Sequence, residues 1–288
     1  MLRPANPEAL RLHLSFAWQL AQTPAHSSFP TYLDGVKTRA DFEKTALSSV
    51  ENPHGEVLLF EKDGALLGWV QYYWLPEDRY LGFESFLAAQ AVSQLIDEFL
   101  AYAKAQFPGY VVSLGLPAEN PAAALLSSRG FVLAEESDVF VLHLEQAVLP
   151  PDDAQAVSVT EAGFPAFAAL HDQTPGRYWN SARLYRALQT GTGRRWRLLL
   201  YQSAQTGEAL GSMSFVCTPV MAEIFSVDFK NDRFCAPVMQ GLLTHALHLA
   251  KAAGERHMVF FASGGESAAA QVAGMEKVAR YLLFEKVL

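Results

Sequence analysis

Three carboxylates interrupt apolar runs that otherwise have the pattern of β-strands. Glu84 lies in the run Arg79–Phe86, and Glu223 and Asp228 both lie in Met221–Phe229. A carboxylate beside a reacting group can accept its proton as a general base, although such a residue can equally face solvent or a structural partner. We predict Glu84 and Asp228 as catalytic carboxylates, with Glu223 and Asp228 as the counterparts of Glu84 in the second half of the chain.

Other polar side chains favour structural roles. His245 and His248 have the i, i+3 spacing of a shared metal site, but no further ligand completes it, so we expect packing and no metal. Cys217 and Cys235 are the only cysteines and predict buried thiols rather than a disulfide framework. A group of arginines suits a solvated basic edge or an acidic ligand: Arg183, Arg186, Arg194, Arg195 and Arg197.

Helices and strands of the first half must position Glu84. Apolar spacing predicts helices at Pro7–Ala21 and Thr38–Ser49, and the Asp-Gly pair at 63–64 predicts a β-hairpin of Glu56–Glu61 with Leu66–Trp74. The following elements are a strand at Arg79–Phe86, a long helix at Gln90–Gln106, a strand at Tyr110–Gly115, a short helix at Asn120–Ser128 and a closing strand pair within Phe131–Leu144. The predicted order is ααβββαβαββ.

The second half repeats this order after a polar stretch with two prolines, Pro150 and Pro151. Its elements are a strand at Val157–Thr160, helices at Phe164–Asp172 and Asn180–Gln189, a hairpin of Trp196–Gln202 with Ala209–Cys217, a strand at Met221–Phe229, a long helix at Val238–Ala253, a strand at His257–Ala262, a short helix at Glu266–Val272 and a closing strand at Lys277–Val287. We therefore predict an α/β chain with two tandem domains of one fold, 1–146 and 157–288, joined by a linker at 147–156.

Composition narrows the classes of partner. The 288 residues carry a net charge of -8, which argues against nucleic acid or an anionic membrane surface. Residues 1–146 hold 18 acidic against 9 basic side chains, so this half suits a cationic ligand. No run of about 20 apolar residues and no secretory signal is present, and we expect a cytoplasmic protein that binds a small molecule or peptide. The sequence leaves oligomerisation open.

The order of elements resembles the GCN5-related N-acetyltransferase (GNAT) fold, and two stretches are similar to its local signatures. Glu119–Phe131 resembles the family's segment of Asn, Ala and Gly-Phe, in which a short helix packs beside the pantetheine arm of the cofactor. Val227–Gly254 keeps the outline of a strand, a loop containing Arg233 and a long helix. The resemblance implies acetyl-CoA as co-substrate, with Asn120 and Arg233 among the residues that bind it.

The resemblance also implies a glycine-rich turn before the long helix, and both copies depart from it. The first half has Phe86, Leu87, Gln90 and Ala91 in this turn, and we predict these residues as its cofactor-binding positions. The second half has Ala236 and Val238 where the family has glycines. A tyrosine that often serves as general acid is missing from both short helices.

The resemblance implies an acyl-CoA-dependent N-acetyltransferase that acts on a primary amine of a small molecule or peptide, with one active and one degenerate copy. We expect the first half to be the active copy, because it holds Glu84 and the Asn120 segment and its acidic side chains suit a cationic amine. Arg233 leaves the opposite assignment open. The alternative is a catalytically inactive ligand-binding or assembly module, which the missing glycines and tyrosine favour.

Overall fold

A computed structural model of the protein describes residues 1–174, 178–190 and 195–288. The chain divides into two compact units. The first unit contains Met1–Ser137 together with Ala279–Leu288, and the second contains Asp138–Val278. None of the helices in the described ranges is both long enough and apolar enough to cross a membrane.

The first unit has a mixed sheet between two layers of helices. Its elements are β1 (Leu2–Pro4), α1 (Pro7–Ala21), α2 (Arg39–Ser49), β2 (Gly55–Lys62), β3 (Ala65–Leu75), β4 (Tyr80–Ala88), α3 (Val92–Gln106), β5 (Val111–Pro117), α4 (Ala122–Ser128) and the first part of β6 (Val132–His143). The sixth strand of its sheet is the last strand of the chain, β12 (Glu276–Val287), and the strand order is β1-β2-β3-β4-β5-β12.

The second unit repeats this arrangement. Its elements are the remainder of β6, then β7 (Ala156–Ser158), α5 (Phe164–His171), α6 (Ser181–Thr190), β8 (Arg195–Gln202), β9 (Ala209–Cys217), β10 (Ala222–Phe229), α7 (Ala236–Ala252), β11 (His257–Ala262) and α8 (Gly265–Val272). The strand order of its sheet is β6-β11-β10-β9-β8-β7. The predicted repetition of element order across the two halves is confirmed.

The local signals in the sequence explain how the first elements begin and turn. The Asn6 side chain accepts a hydrogen bond from the Ala9 N–H and so caps α1, while Thr38 and Asp41 form a capping box at the start of α2. Asp63 and Gly64 both have positive φ values, as a two-residue hairpin turn between β2 and β3 requires.

The strands of the first unit are buried on both faces, which explains their nearly continuous apolar sequence. Leu58 and Phe60 of β2 pack in the core beneath α3 and α4, whereas Val57 and Leu59 pack in a second core beneath α1 and α2. Alternate side chains of a strand point to opposite faces, so a single apolar run supplies two cores.

The closing strands differ from the prediction of a strand pair within Phe131–Leu144. This run contains no Gly, Pro or Asn that would form a turn, and it continues as one strand, β6. Residues 138–143 of β6 pair with β11 in the second unit, from Asp138 opposite Ala262 to His143 opposite His257. The sheet of the second unit therefore receives a strand from the first half of the sequence.

The sheet of the first unit is completed in turn by the end of the chain. β12 is antiparallel to β5, with Tyr281 opposite Pro117 and Val287 opposite Val111, and its Phe284 is buried in the core beneath α3. The predicted domains, 1–146 and 157–288, divide the chain by sequence repetition. Division by contacts places 138–146 and 279–288 with the opposite half.

The predicted linker packs along α7 in the second unit. The linker is held by the two histidines that have the spacing of a metal site. His248 Nε2 donates to the Pro150 carbonyl at 2.7 Å, and His245 Nδ1 lies 3.0 Å from Asp152 Oδ1. Lys251 Nζ adds a bond to the Ala147 carbonyl at 2.7 Å. In the described ranges, no cluster of three or more His, Cys, Asp or Glu side chains is arranged to hold a metal ion.

Removal of residues 279–288 should unfold part of the first unit while sparing the second. β5 would lose its ladder with β12, so its amides should exchange with deuterium at least about tenfold faster, whereas amides of β11 should keep their protection. Hydrogen exchange followed by mass spectrometry measures both. Joining residues 1–137 to 276–288 through a flexible linker should restore β5 protection, and failure to do so would contradict this assignment of the last strand.

Candidate functional site

A cleft opens in the first sheet where β4 separates from β5. The two strands pair in parallel only from Tyr80 opposite Val111 to Gly82 opposite Ser113. Glu84 is the extra residue of a β-bulge against β3, which bends a strand and redirects its side chains. We call the space between the rest of β4 and the end of β5 the first cleft.

Glu84 is half-buried at this bulge and lies near the Tyr32 phenol. Burial, and after it the negative charge of Glu84, raises the pKa of Tyr32, so that the phenol stays protonated. The carboxylate of Glu84, which we predicted as a base, thus lies on the strand that borders the first cleft.

Residues 26–29, from the connection between α1 and α2, occupy the first cleft on its β4 side. The backbone N–H of Phe86 donates to Ser28 Oγ at 2.7 Å. His26 Nδ1 lies 2.9 Å from the Ala88 carbonyl and must donate to it, because a carbonyl only accepts. Two polar backbone groups of β4, the Phe86 N–H and the Ala88 carbonyl, are therefore bonded within the chain.

The same segment is bonded on the opposite side of the first cleft. The backbone N–H of Phe29 donates to the Gly115 carbonyl of β5 at 3.0 Å. Asn120 Nδ2 donates to the Ser27 carbonyl at 2.7 Å, and Asn120 Oδ1 accepts from the N–H of Ala122 at the start of α4. Asn120, predicted to bind the cofactor, thus bonds both to the first N–H of α4 and to residues 26–29.

The predicted cofactor turn of the first unit leads directly into α3. Phe86 and Leu87 are buried on opposite faces of the sheet, Gln90 is exposed, and Ala91 has a φ of 53° and supplies no side-chain cap. The N–H groups at the start of α3 consequently have no bond from the side chain of Ala91.

A cation that sequence reasoning missed stands beside this turn. Arg129 comes from the α4–β6 connection, and its Nη2 donates to Ser93 Oγ at 2.6 Å. The guanidinium also makes a bidentate pair with Asp97, at 2.5 and 2.9 Å, whose hydrogen bonds lower the pKa of that carboxyl. Arg129 is distant in sequence from α3, so the sequence of the turn alone does not indicate it.

The second sheet has the same cleft with different residues. β10 pairs with β11 from Ala222 opposite Met258 to Ile224 opposite Phe260 and then diverges. Phe225 is the extra residue of its bulge, and the strand ends four positions later at Phe229. We call the space beyond Ile224 the second cleft.

The register corrects the predicted counterparts of Glu84. In β4 the bulge also precedes the strand end by four residues, so Phe225 corresponds to Glu84. Asp228 then corresponds to Leu87, and Glu223 precedes the bulge and is half-buried. The bulge could not be located from sequence, because the pairing of two strands determines it.

Asp228, predicted as a catalytic carboxylate, lies in a buried ion pair. It is 6% exposed, and its Oδ2 lies 2.9 Å from His171 Nδ1 of α5. His171 Nε2 donates to the Trp179 carbonyl at 2.6 Å, and the Ser212 hydroxyl contacts the same carboxylate oxygen at 3.4 Å. One ring nitrogen of His171 therefore faces the Asp228 carboxyl group, and the other faces the Trp179 carbonyl.

Arg233 is exposed on the connection from β10 to α7. It follows Asn231 and Asp232, whose φ values of 59° and 52° bend the backbone in place of glycines. The neighbouring Phe234 ring packs on Gly265 at the start of α8, where an added Cβ would lie 2.6 Å from the ring. Cys235 caps α7 with no side-chain bond.

The other arginines of the sequence analysis that the structure describes differ in their contacts. Arg195 is exposed and pairs with the buried Glu255, and Arg197 is exposed on β8. Arg183 lies over the Tyr178 ring at 4.1 Å. Arg194 lies outside the described residues.

Known structures with the same fold include GNAT acetyltransferases. A GCN5-related N-acetyltransferase from Sphaerobacter thermophilus is 15% identical, with a TM-score of 0.67, and the match covers 100% of this chain and 95% of that one. A tandem GNAT protein from the clavulanic acid biosynthesis pathway, solved without acetyl-CoA, is 14% identical, with a TM-score of 0.59 and coverages of 100% and 98%. A glucosamine N-acetyltransferase region of a fungal multi-domain β-N-acetylglucosaminidase is 11% identical, with a TM-score of 0.63 and coverages of 99% and 38%.

No protein-family model and no curated protein matches the sequence. The structural matches show the fold: the chain has the GNAT fold over its whole length, as predicted.

The ion pair of Asp228 with His171 should be tested by a double-mutant cycle. Replacing either residue with alanine leaves a buried polar group without its partner, and we expect each to cost about 3 to 5 kcal/mol of unfolding free energy. The double variant should lose at least about 1 kcal/mol less than the two single losses added together. Urea denaturation measures all three, with the exposed Arg233→Ala as control. Strictly additive losses would contradict the pairing.

Proposed function

We propose that this chain of two GNAT folds is an acyl-CoA-dependent N-acetyltransferase in which the second unit binds acetyl-CoA. The observation that carries the proposal is the difference between the two clefts. Phe86 and Ala88 are bonded by residues 26–29, whereas Val227 and Phe229 occupy the same positions of β10.

The second cleft suits the shape and polarity of an acyl-CoA. The pantetheine arm is an extended chain with two amides, and such a chain can bond to the edge of a strand as another strand would. The exposed Arg233 stands between β10 and α7, where it can meet the cofactor phosphates. The start of α7, without a side-chain cap, adds backbone donors, although Pro237 removes one of them.

The chemistry requires a proton acceptor near the acyl carbonyl. In direct transfer, the nitrogen of a primary amine attacks the thioester carbonyl, the C–N bond forms, the C–S bond breaks and CoA leaves as thiolate. The amine proton passes to a base and finally to the thiolate. Glu223 is half-buried on β10, two residues before the bulge, and we assign it the role of base.

The second candidate function is ligand binding without turnover. Phe225 favours this candidate, because the bulge residue that is a carboxylate in the first unit is apolar in the second. Both candidates require acetyl-CoA or a related ligand in the second cleft. They differ in whether Glu223 takes part in a reaction.

Acetyl-CoA should bind with a stoichiometry of one per chain. At a free concentration of 100 times Kd it should raise the unfolding free energy by about 2.7 kcal/mol, because it binds only the folded protein. Arg233→Ala should weaken binding roughly tenfold through loss of a charge-assisted bond, and Arg197→Ala, another exposed arginine, should not. Titration calorimetry and thermal shift measure these effects. No binding at millimolar acetyl-CoA would exclude both candidate functions.

Turnover should depend on Glu223 and not on Glu84. Glu223→Gln should lower kcat for acetylation of a panel of primary amines by about 100-fold or more while acetyl-CoA still binds. Glu84→Gln, the equivalent loss of charge in the first unit, should change kcat by less than about threefold. The opposite result would assign activity to the first unit. No acetylation of any amine by the unmodified protein, with acetyl-CoA bound, would favour the ligand-binding module.

A further inference from the structure

We propose that residues 26–29 are the resident ligand of the first cleft and that they close the first unit to acyl-CoA. A segment of the chain here takes the place that an extended ligand with amide groups would fill. The seating of this segment is a property of the fold. Only its consequence for acyl-CoA rests on the proposed function.

The segment satisfies the polar groups on both walls of the cleft. It presents a hydroxyl to the Phe86 N–H, a carbonyl to Asn120 and an N–H to the Gly115 carbonyl. A pantetheine arm offers the same kinds of group, namely amide carbonyls, amide N–H groups and a hydroxyl. An acyl-CoA can therefore enter only where the segment gives up these bonds.

Three residues of the segment, Ser27, Ser28 and Phe29, are buried. Ser27 and Ser28 are each 1% exposed and Phe29 is 9% exposed. The Phe29 ring packs edge-on against Tyr281 of β12 with 4.9 Å between centroids. Withdrawal of the segment would transfer an aromatic ring to water and leave buried donors unbonded, and both changes oppose it.

The covalent attachment of the segment favours it over any free ligand. It is followed by Tyr32, whose ring contacts Trp18 of α1 and Phe42 of α2 at 5.6 and 5.3 Å. A short tether holds a group at an effective concentration on the order of millimolar or above, and here both ends are anchored. A free cofactor must compete with an occupant that never leaves the vicinity.

Two adjacent serines provide a matched pair for the test. Ser28 Oγ accepts the bond from Phe86, whereas Ser27 Oγ has no hydrogen-bond partner among the described residues. Both side chains are equally buried. Ser28→Ala therefore removes a seating bond, and Ser27→Ala removes only an unpaired hydroxyl while its backbone carbonyl still accepts from Asn120.

The seating is measured by NMR hydrogen exchange of the Phe86 amide in the full chain. In the unmodified protein this amide should exchange at least about 100-fold more slowly than in an unstructured peptide. Ser28→Ala should accelerate it at least about tenfold, and Ser27→Ala should change it by less than about twofold. Exchange at the unstructured rate in the unmodified protein, or an equal effect of the two variants, would overturn the proposal.

Acetyl-CoA then tests the closure. Saturating acetyl-CoA should shift amide resonances around Val227 and leave those of residues 26–29 and Phe86 unchanged. Shifts at residues 26–29 with loss of Phe86 protection would show that the cofactor displaces the segment, and the closure would be wrong. If neither unit responds, the proposed function fails while Phe86 protection still supports the seating.

Phe29→Leu, which keeps every backbone bond, replaces Ser28→Ala if that variant does not fold. It should accelerate Phe86 exchange several-fold by loosening the contact with Tyr281.

Discussion

Parallel strands that separate inside a sheet leave backbone N–H and C=O groups without ladder partners, and buried groups of this kind must be bonded. Both units of this protein meet the constraint at the same place, since β4 leaves β5 after Gly82 and β10 leaves β11 after Ile224. The first unit meets it with its own chain, through Ser28 and Phe29. An external molecule that meets it in the second unit would be a ligand, and this requirement for a partner connects the fold to function.

The two units have different residues at equivalent positions of the same fold. The bulge is kept in both, yet it presents Glu84 in one and Phe225 in the other. At the position of the buried Leu87, the second unit places Asp228, whose carboxyl group is bonded to His171. A buried ion pair of this kind contributes less to stability than its geometry suggests, because desolvation offsets the attraction. Its clear effect is to fix α5 and the Trp179 carbonyl against β10.

The sequence predicted the elements well because their signals are local. The Asn6 and Thr38 caps and the Asp63-Gly64 turn are each contained within a few residues. The repeated order gave the fold, which the structural matches confirm.

The features of the clefts depend on contacts between distant residues, so no local pattern announces them. Ser28 meets Phe86 and His171 meets Asp228 across 58 and 57 positions. In the sequence, Ser27 and Ser28 have only the pattern of a polar loop. The sheet that each closing strand joins escaped prediction for a related reason, since an apolar run has the same pattern whichever sheet receives it.

The exchange of closing strands has a consequence for biosynthesis. A ribosome makes β5 long before β12, so the antiparallel partner of Val111, Val287, is synthesised much later than β5 itself. Pairing over such a separation is slow, because a long loop must be closed before any contact rewards it. Until then the nascent chain presents an unpaired strand edge, which is the feature that promotes aggregation and recruits chaperones. The sheet of the first unit is therefore complete only after β12 has been synthesised.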